Sequence, residues 1–208
     1  MFEERTTPRA RRHTETVGEI VDASWRLARA NGLASISMRE LGREVGLRAQ
    51  SLYAYFDSKA ALYDAMFRQG HEELAALRAG WPDELSDVED PRRTAKQLAR
   101  EFVAFCTADP IRYQLLFQRV IPGWEPSADT YALAVTQLEQ LRRLLASLGI
   151  RSPEAIDLWT AVITGITDQQ ISNDPGGDRW SRLVDRAVDM FFDTFEIERP
   201  TTRGAHRR

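Results

Sequence analysis

The sequence predicts an all-α protein: an N-terminal three-helix, helix-turn-helix bundle linked by a long fourth helix to a C-terminal helical domain, about nine helices in all. Three observations carry that expectation. Apolar residues recur at steps of three and four along most of the chain, and from Pro91 onward no strand-like alternation persists. Ser or Thr starts and Gly or Pro breaks punctuate the periodic stretches. Between Ser37 and Lys59, two short apolar-lined segments flank a single glycine, Gly46.

The totals set the frame. A chain of 208 residues suits one two-part domain or two small ones. With 43% hydrophobic and 28% charged residues it has the composition of a folded soluble protein, not a disordered one. The net charge of −3 is unevenly spread: residues 1–60 hold ten Lys/Arg against eight Asp/Glu, and the remainder 18 against 23. Cys106 is the only cysteine, so no intrachain disulfide is available and a reducing compartment is expected. FEERTTPRARRH near the start is no signal-like run, and nothing approaches the roughly 18 apolar residues of a membrane span. A cytoplasmic location with no membrane partner follows as the expectation.

Taken in order, residues 1–13 are expected to form a flexible basic arm with Arg5, Arg9, Arg11 and Arg12, where Pro8 discourages helix. Thr16 and Glu19 make a capping-box pattern that opens the first helix, which stops at Asn31-Gly32. Val17, Ile20, Val21, Leu27 and Ala28 keep its helical spacing. Ser37 and Glu40 form a second such pattern, with Met38, Leu41 and Val45 as one inward stripe. Gly46 ends that helix, where a residue of positive φ is wanted. The next helix, 48–56, turns Leu52 and Phe56 inward. Ser58 caps the fourth helix, 59–79, whose apolar line is Leu62, Met66, Leu74 and Leu77.

Beyond a loop of 80–91, helices are expected at 92–108, 111–120 and 129–148, separated by Asp109-Pro110 and by the Pro122–Pro126 bend. Ser152 and Pro153 are a good cap and first position for an eighth helix, and a ninth runs over 178–196. Residues 200–208 read as a disordered tail.

The outer face of 48–56 carries Arg48, Gln50, Ser51, Tyr53 and Tyr55 and no acid. Such a face suits a negatively charged, edge-rich partner: duplex DNA, whose major groove receives the second helix of a helix-turn-helix. The DNA-contacting set expected is Arg12, Ser37, Arg48, Ala49, Gln50, Ser51, Tyr53, Tyr55 and Lys59. Gln50 and Ser51 suit base edges, and Arg12, the tyrosines and Lys59 suit phosphates.

The run Leu41-Gly42-Arg43-Glu44-Val45-Gly46-Leu47, followed by Ser51-Leu52-Tyr53-Ala54-Tyr55-Phe56, Ser58-Lys59 and Leu62, resembles the DNA-binding signature of tetracycline-repressor-like (TetR-family) regulators. In that family Ser or Thr usually stands two residues after the turn glycine; here it is Arg48. The likeness covers roughly the first third of the chain. It implies a helix-turn-helix domain over 14–60 and a ligand-binding and dimerisation domain over 61–199, in which a small-molecule effector moves the fourth helix and spoils the spacing of two recognition helices. The effector contacts it implies are Phe102, Phe105, Cys106, Tyr113, Phe117, Trp124, Tyr131 and Trp159, seven aromatics and a cysteine spread over the fifth to eighth helices.

The last two helices add a physical reason for pairing. Apolar residues go nearly all round the eighth helix, and such a helix must be covered on two sides. A homodimer interface through Ile156, Trp159, Ile163, Ile166, Val184, Val188, Phe191 and Phe195 would do so. Each large apolar side chain buried contributes about 1.5–3 kcal/mol, against association costs of about 4–15 kcal/mol. A dimer also matches a palindromic operator.

Catalytic chemistry is poorly supplied. His13, His71 and His206 are far apart, Cys106 has no nearby histidine, and no phosphate loop, dinucleotide fingerprint or nucleophile elbow occurs. No metal site and no cofactor are expected, and an enzyme is disfavoured. The expected function is a ligand-responsive repressor; the alternative is a DNA-binding architectural or partner-regulated protein without an effector.

Overall fold

The computed structural model describes residues 7–195. Residues 1–6 of the expected arm, with Arg5, and the expected tail at 200–208 lie outside the described residues. Nine α-helices occur among those described: α1 (Pro8–Asn31), α2 (Met38–Glu44), α3 (Ala49–Leu52), α4 (Lys59–Arg78), α5 (Pro91–Ala108), α6 (Pro110–Phe117), α7 (Ala128–Ala146), α8 (Pro153–Asn173) and α9 (Val184–Thr194). No strand occurs among them, as an all-α chain requires.

Two compact units divide the described residues, one of residues 7–73 and 111–133, the other of 74–110 and 134–195. The first therefore includes most of α4, beyond the boundary expected at residue 60. The cause is packing: Leu62, Tyr63, Met66 and Phe67 are buried with Ile20, Val21, Trp25, Leu41 and Leu52. Trp25 donates its indole N–H to Gln69 at 2.7 Å, and Gln69 in turn donates to Asp22 at 3.1 Å, tying α1 to α4. Asp64 on α4 accepts from the Ser127 amide at 2.8 Å and from the Thr130 hydroxyl at 3.0 Å, so a carboxylate from another helix caps the start of α7.

Where helices begin, caps decide, and the sequence placed some of them wrongly. Pro8 starts α1 instead of preventing it. Thr7 caps the helix by accepting from the Ala10 amide at 3.3 Å, and proline at the first position lacks only an N–H that would go unpaired anyway. Residues 8–13 of the expected arm are therefore helical. Ser37 stands at the N-cap of α2 in extended conformation but makes no side-chain cap bond, so the expected capping box is not formed. Ser58 and Ser152 do cap, accepting from the amides of Ala61 and Ala155, each at 3.1 Å.

The second unit is built on α5, α8 and α9, with α7 alongside. Leu98, Ala99, Val103, Leu144, Leu145, Ile156, Ile163, Val184, Val188, Phe191 and Phe192 form one buried cluster. The register of α9 on α5 is set by a charge ladder. Arg92, Lys96 and Arg100 on α5 face Asp189 and Asp193, Asp189, and Asp185 on α9, with N–O distances of 2.6 to 3.4 Å. Both series step by four residues, so each occupies one helix face. Helix α9 starts at Val184 and not at Asp178, because 173–181 is a hydrogen-bonded turn. There the buried Gln170 accepts from the amides of Trp180 and Ser181 at 2.9 and 3.0 Å, and Asp174 accepts from Arg179 at 2.9 Å.

The ladder makes a prediction about acid. The hydrogen bond from Lys96, with the charges of Lys96 and Arg92, holds the Asp189 carboxyl below its usual range. A carboxyl depressed by folding adds stability that is full above the unfolded value of about 3.9 and is lost as pH falls through the lower folded value. Melting midpoints are expected to fall on acidification in that window. Asp189→Asn should lower the midpoint at neutral pH and weaken the acid dependence; an unchanged acid profile in that variant would remove the ladder from the account.

Candidate nucleic-acid interface

The site grows from one crossing. Leu41 and Leu52 are fully buried and Phe56 nearly so, which anchors α2 and α3 to the first unit. Gly46 takes φ of 69° and turns the chain. The Leu47 amide then donates back to the Gly42 carbonyl at 2.8 Å. A Cβ on Gly42 would lie 2.7 Å from the Leu47 carbonyl oxygen and 3.2 Å from the Ala49 amide. The absence of a side chain at Gly42 is thus what lets α3 approach α2.

Helix α3 is one turn, Ala49–Leu52, where 48–56 was expected. The remainder continues as tight turns, with the Ala54 amide bonded to Ser51 at 3.2 Å and those of Tyr55 and Phe56 to Leu52 at 2.9 Å. Arg48 stands at its N-cap without a side-chain cap bond, as its chemistry dictates: a guanidinium only donates, and a helix start needs an acceptor. Inward Leu52 and Phe56 leave the other face outward. Arg48, Gln50 and Ser51 are exposed, Tyr53 is 52% exposed, and Ala49 and Tyr55 are half-buried.

Arg12 is exposed on α1 and Ser37 is exposed at the start of α2. His13, which composition gave no reason to single out, stacks on Tyr55 with ring centroids 5.1 Å apart and planes 21° apart. That contact brings the first turns of α1, Arg12 included, to the end of the segment that follows α3. Lys59 is otherwise engaged: its ammonium donates to the Ala34 carbonyl at 2.9 Å and sits 5.4 Å from the centre of the Tyr63 ring. It fastens the start of α4 to the turn before α2, and only its remaining N–H groups are available to a phosphate.

The residues expected to line an effector site divide four and four between the units. In the first unit, Tyr113 and Phe117 lie 5.5 Å apart, Phe117 is 6.1 Å from His71, and Trp124 packs at 6.0 Å from Phe67, a residue sequence reasoning did not select. Tyr131 is 56% exposed. In the second unit, Phe102 and the buried Cys106 lie on α5 with Phe105. Trp159 packs edge-on to Phe191 at 5.0 Å, beside the α5–α8–α9 core.

The expected dimer surface needs correction. Ile156, Ile163, Val184, Val188 and Phe191 are each 5% exposed or less and belong to the core of their own chain; Trp159, Ile166 and Phe195 are only half-buried against it. An all-round apolar helix does not reveal which stripe faces its own chain. The apolar residues left outward here include Leu158 and Ala161 on α8, Leu183 just before α9 and Met190 on it, the last 63% exposed.

Among the described residues no group of three or more His, Cys, Asp or Glu could hold a metal ion, and no helix is long and apolar enough to cross a membrane.

Residues 20–66 match the sequence profile of bacterial regulatory proteins of the tetR family. Over 156 residues the chain is 30% identical to the HTH-type transcriptional repressor DrrR1 of Streptomyces coeruleorubidus, a match covering 73% of this chain and 51% of that one. It spans between 51% and 59% of the length of the curated relatives it matches. Among solved structures, the regulatory protein SCO4313 superposes with a TM-score of 0.70 at 19% identity, covering 90% of this chain and all of that one. The multidrug binding protein EbrR, complexed with imidazole, gives 0.60 at 22% identity, covering 97% and 96%. These two likenesses concern the fold.

Proposed function

Because this chain belongs to the tetR family of bacterial regulatory proteins, we propose that it is a cytoplasmic transcriptional repressor that binds a palindromic DNA operator as a homodimer and is released by a small-molecule effector. The observation that carries the reading is the exposed, acid-free surface of Arg48, Gln50, Ser51 and Tyr53, held outward by Leu52 and Phe56 beneath it. Arg48 and Tyr53 serve phosphates and Gln50 and Ser51 serve base edges. The outward stripe of Leu158, Ala161 and Met190 supplies the dimer contact, since a second copy would remove that apolar surface from water.

Release follows from coupling. An effector that prefers the DNA-incompetent arrangement shifts the population by its differential affinity for the two states. The aromatic residues of the second unit and the repressor named among its relatives both favour this reading over a DNA-packaging role.

The test is operator affinity across salt. Arg48→Ala and Tyr53→Ala should each weaken binding, and each lost phosphate contact should flatten the slope of log K against log salt by about 0.9. Gln50→Ala should relax base preference, with a discrimination loss of about 1–3 kcal/mol and an unchanged salt slope. Wild-type affinity and slope in both Arg48→Ala and Tyr53→Ala would refute the interface.

A further inference from the structure

The last residue of α4, Arg78, is out of place for a helix-end cation. A basic residue in a last turn is favoured by the helix dipole, yet that role is fulfilled in water. Arg78 is instead largely enclosed within the second unit. Its guanidinium carbon lies 4.9 Å from the centre of the Trp81 ring and 5.6 Å from that of Phe102.

Its hydrogen bonds are lopsided. Nη1 donates to the backbone carbonyl of Gln137 at 2.9 Å and to its side-chain oxygen at 3.0 Å, both neutral acceptors. Nε is buried with no hydrogen-bond partner. Two other enclosed arginines share that unpartnered Nε, and the contrast lies in their terminal nitrogens: Arg92 meets Asp189 and Asp193, and Arg112 meets Glu73 at 2.6 Å. Arg78 has no such carboxylate among the described residues. Glu101, the acid in its cluster, accepts from Trp81 at 2.8 Å and from Gln97 at 3.0 Å. A desolvated cation without a carboxylate partner is costly, and burial pushes this guanidinium down to about 10, an effect that the nearby Cys106 offsets only in part.

We propose that Arg78 is the anchor for the carboxylate of an amphipathic organic acid, taken on the Nε side of its fork while the apolar body of the ligand lies against Trp81 and Phe102. The chemistry is that of the fork. A guanidinium offers parallel N–H groups at the spacing of carboxylate oxygens, and a charge-assisted pair is roughly twice as strong as a neutral one. Gln137 holds Nη1 and so fixes the plane of the fork before the ligand arrives. The two rings give an aryl or acyl body a surface to cover and exclude water from the ion pair. Phe102 was expected among the effector contacts; Arg78 and Trp81 were not, since a single arginine at a helix end carries no signal in sequence. Placing the acid on the last residue of α4 also gives it a hold on the helix that starts beside the recognition segment. The inference rests on the repressor reading and names the class of its effector.

The test compares acids with their own amides, so that shape stays constant and charge alone changes. Binding of naphthoate and naphthamide, and of decanoate and decanamide, is measured calorimetrically on the full-length chain. Operator retention by the same preparation is measured in parallel. The acids should bind at least about tenfold more tightly than the amides, since a hydrogen bond to a charged group is worth about 1.5–3 kcal/mol. Arg78→Gln should erase the difference, and Arg78→Lys should restore part of it. Equal binding of acid and amide by the wild type, or no binding of either, overturns the proposal without recourse to any variant. If acids are preferred while no duplex is retained, the anion site stands and the repressor reading falls. If the operator is retained and only the amides release it, the repressor reading stands and the anion site falls.

Discussion

Gly42→Ala is expected to be among the most damaging single-methyl changes in the first unit. The new Cβ would sit 2.7 Å from the Leu47 carbonyl oxygen and 3.2 Å from the Ala49 amide, both backbone atoms that cannot swing aside as a side chain would. Helix α3 must move off α2, or the turn must open. Overpacking of this kind costs about 1–3 kcal/mol, and the displaced segment is the one that carries Arg48 and Gln50, so operator affinity falls with stability. Two other glycines calibrate the measurement. Gly46→Ala meets nothing within 4 Å but is strained by φ of 69°, worth about 1–2 kcal/mol for a residue with a Cβ. Gly18→Ala, in the open middle of α1 with nothing within 4 Å, should stabilise by about 0.5–1 kcal/mol. Thermal melts of the three variants, with operator titrations of each, check the expectation. Should Gly42→Ala melt like Gly18→Ala, the close crossing of α2 and α3 is not present in solution.

The second large effect concerns assembly. Leu158→Asp combined with Met190→Asp places two charges on the outward stripe of α8 and α9, where the native residues are 41% and 63% exposed in the single chain. Folding of the monomer should change little, within about 0.5 kcal/mol per site as for other exposed positions. Association should fail, because a dimer would have to desolvate the carboxylates. Operator affinity should drop on the order of 10²-fold or more, since two recognition segments no longer act as one bivalent ligand. Val188→Asp is the contrast: at 0% exposure it lies inside the α5–α8–α9 core and should unfold the second unit. Sedimentation equilibrium separates the two results. A double variant that still sediments as a dimer shows that the subunits meet elsewhere.

Much of the first unit was legible before any coordinates. Met38, Leu41 and Val45 announced one helix face, Gly46 the turn, and Leu52 and Phe56 the buried side of the next segment; each of these signals acts within a few residues. What failed there was also local but ambiguous. Pro8 breaks a helix interior and favours a helix start, and only the hydroxyl of Thr7 on the Ala10 amide decides between the two. The run of 48–56 had no cue that α3 would be a single turn. Gly42 looked like an ordinary helix residue, because the backbone that fills the space above it comes from the following element.

In the second unit the gap was one of phase. Arg92, Lys96 and Arg100 are spaced by four, as are Asp185, Asp189 and Asp193, and both series stood in plain view in the sequence. Their partnership spans about ninety residues of chain, which no periodicity reports. That pairing turns Val184, Val188 and Phe191 inward and Met190 outward.

By itself the chain order determined that the chain is helical and where most of its helices lie, where a glycine reverses direction, and that a donor-rich face follows that glycine, because hydrogen bonding, capping and backbone sterics act between near neighbours. Only the tertiary structure decided which apolar stripe becomes core and which stays on the surface, and that Arg78 forms no ion pair with a carboxylate among the described residues. Those outcomes depend on distant segments competing for the same surface, and the winner is the arrangement that removes most apolar area from water while leaving fewest charges stranded.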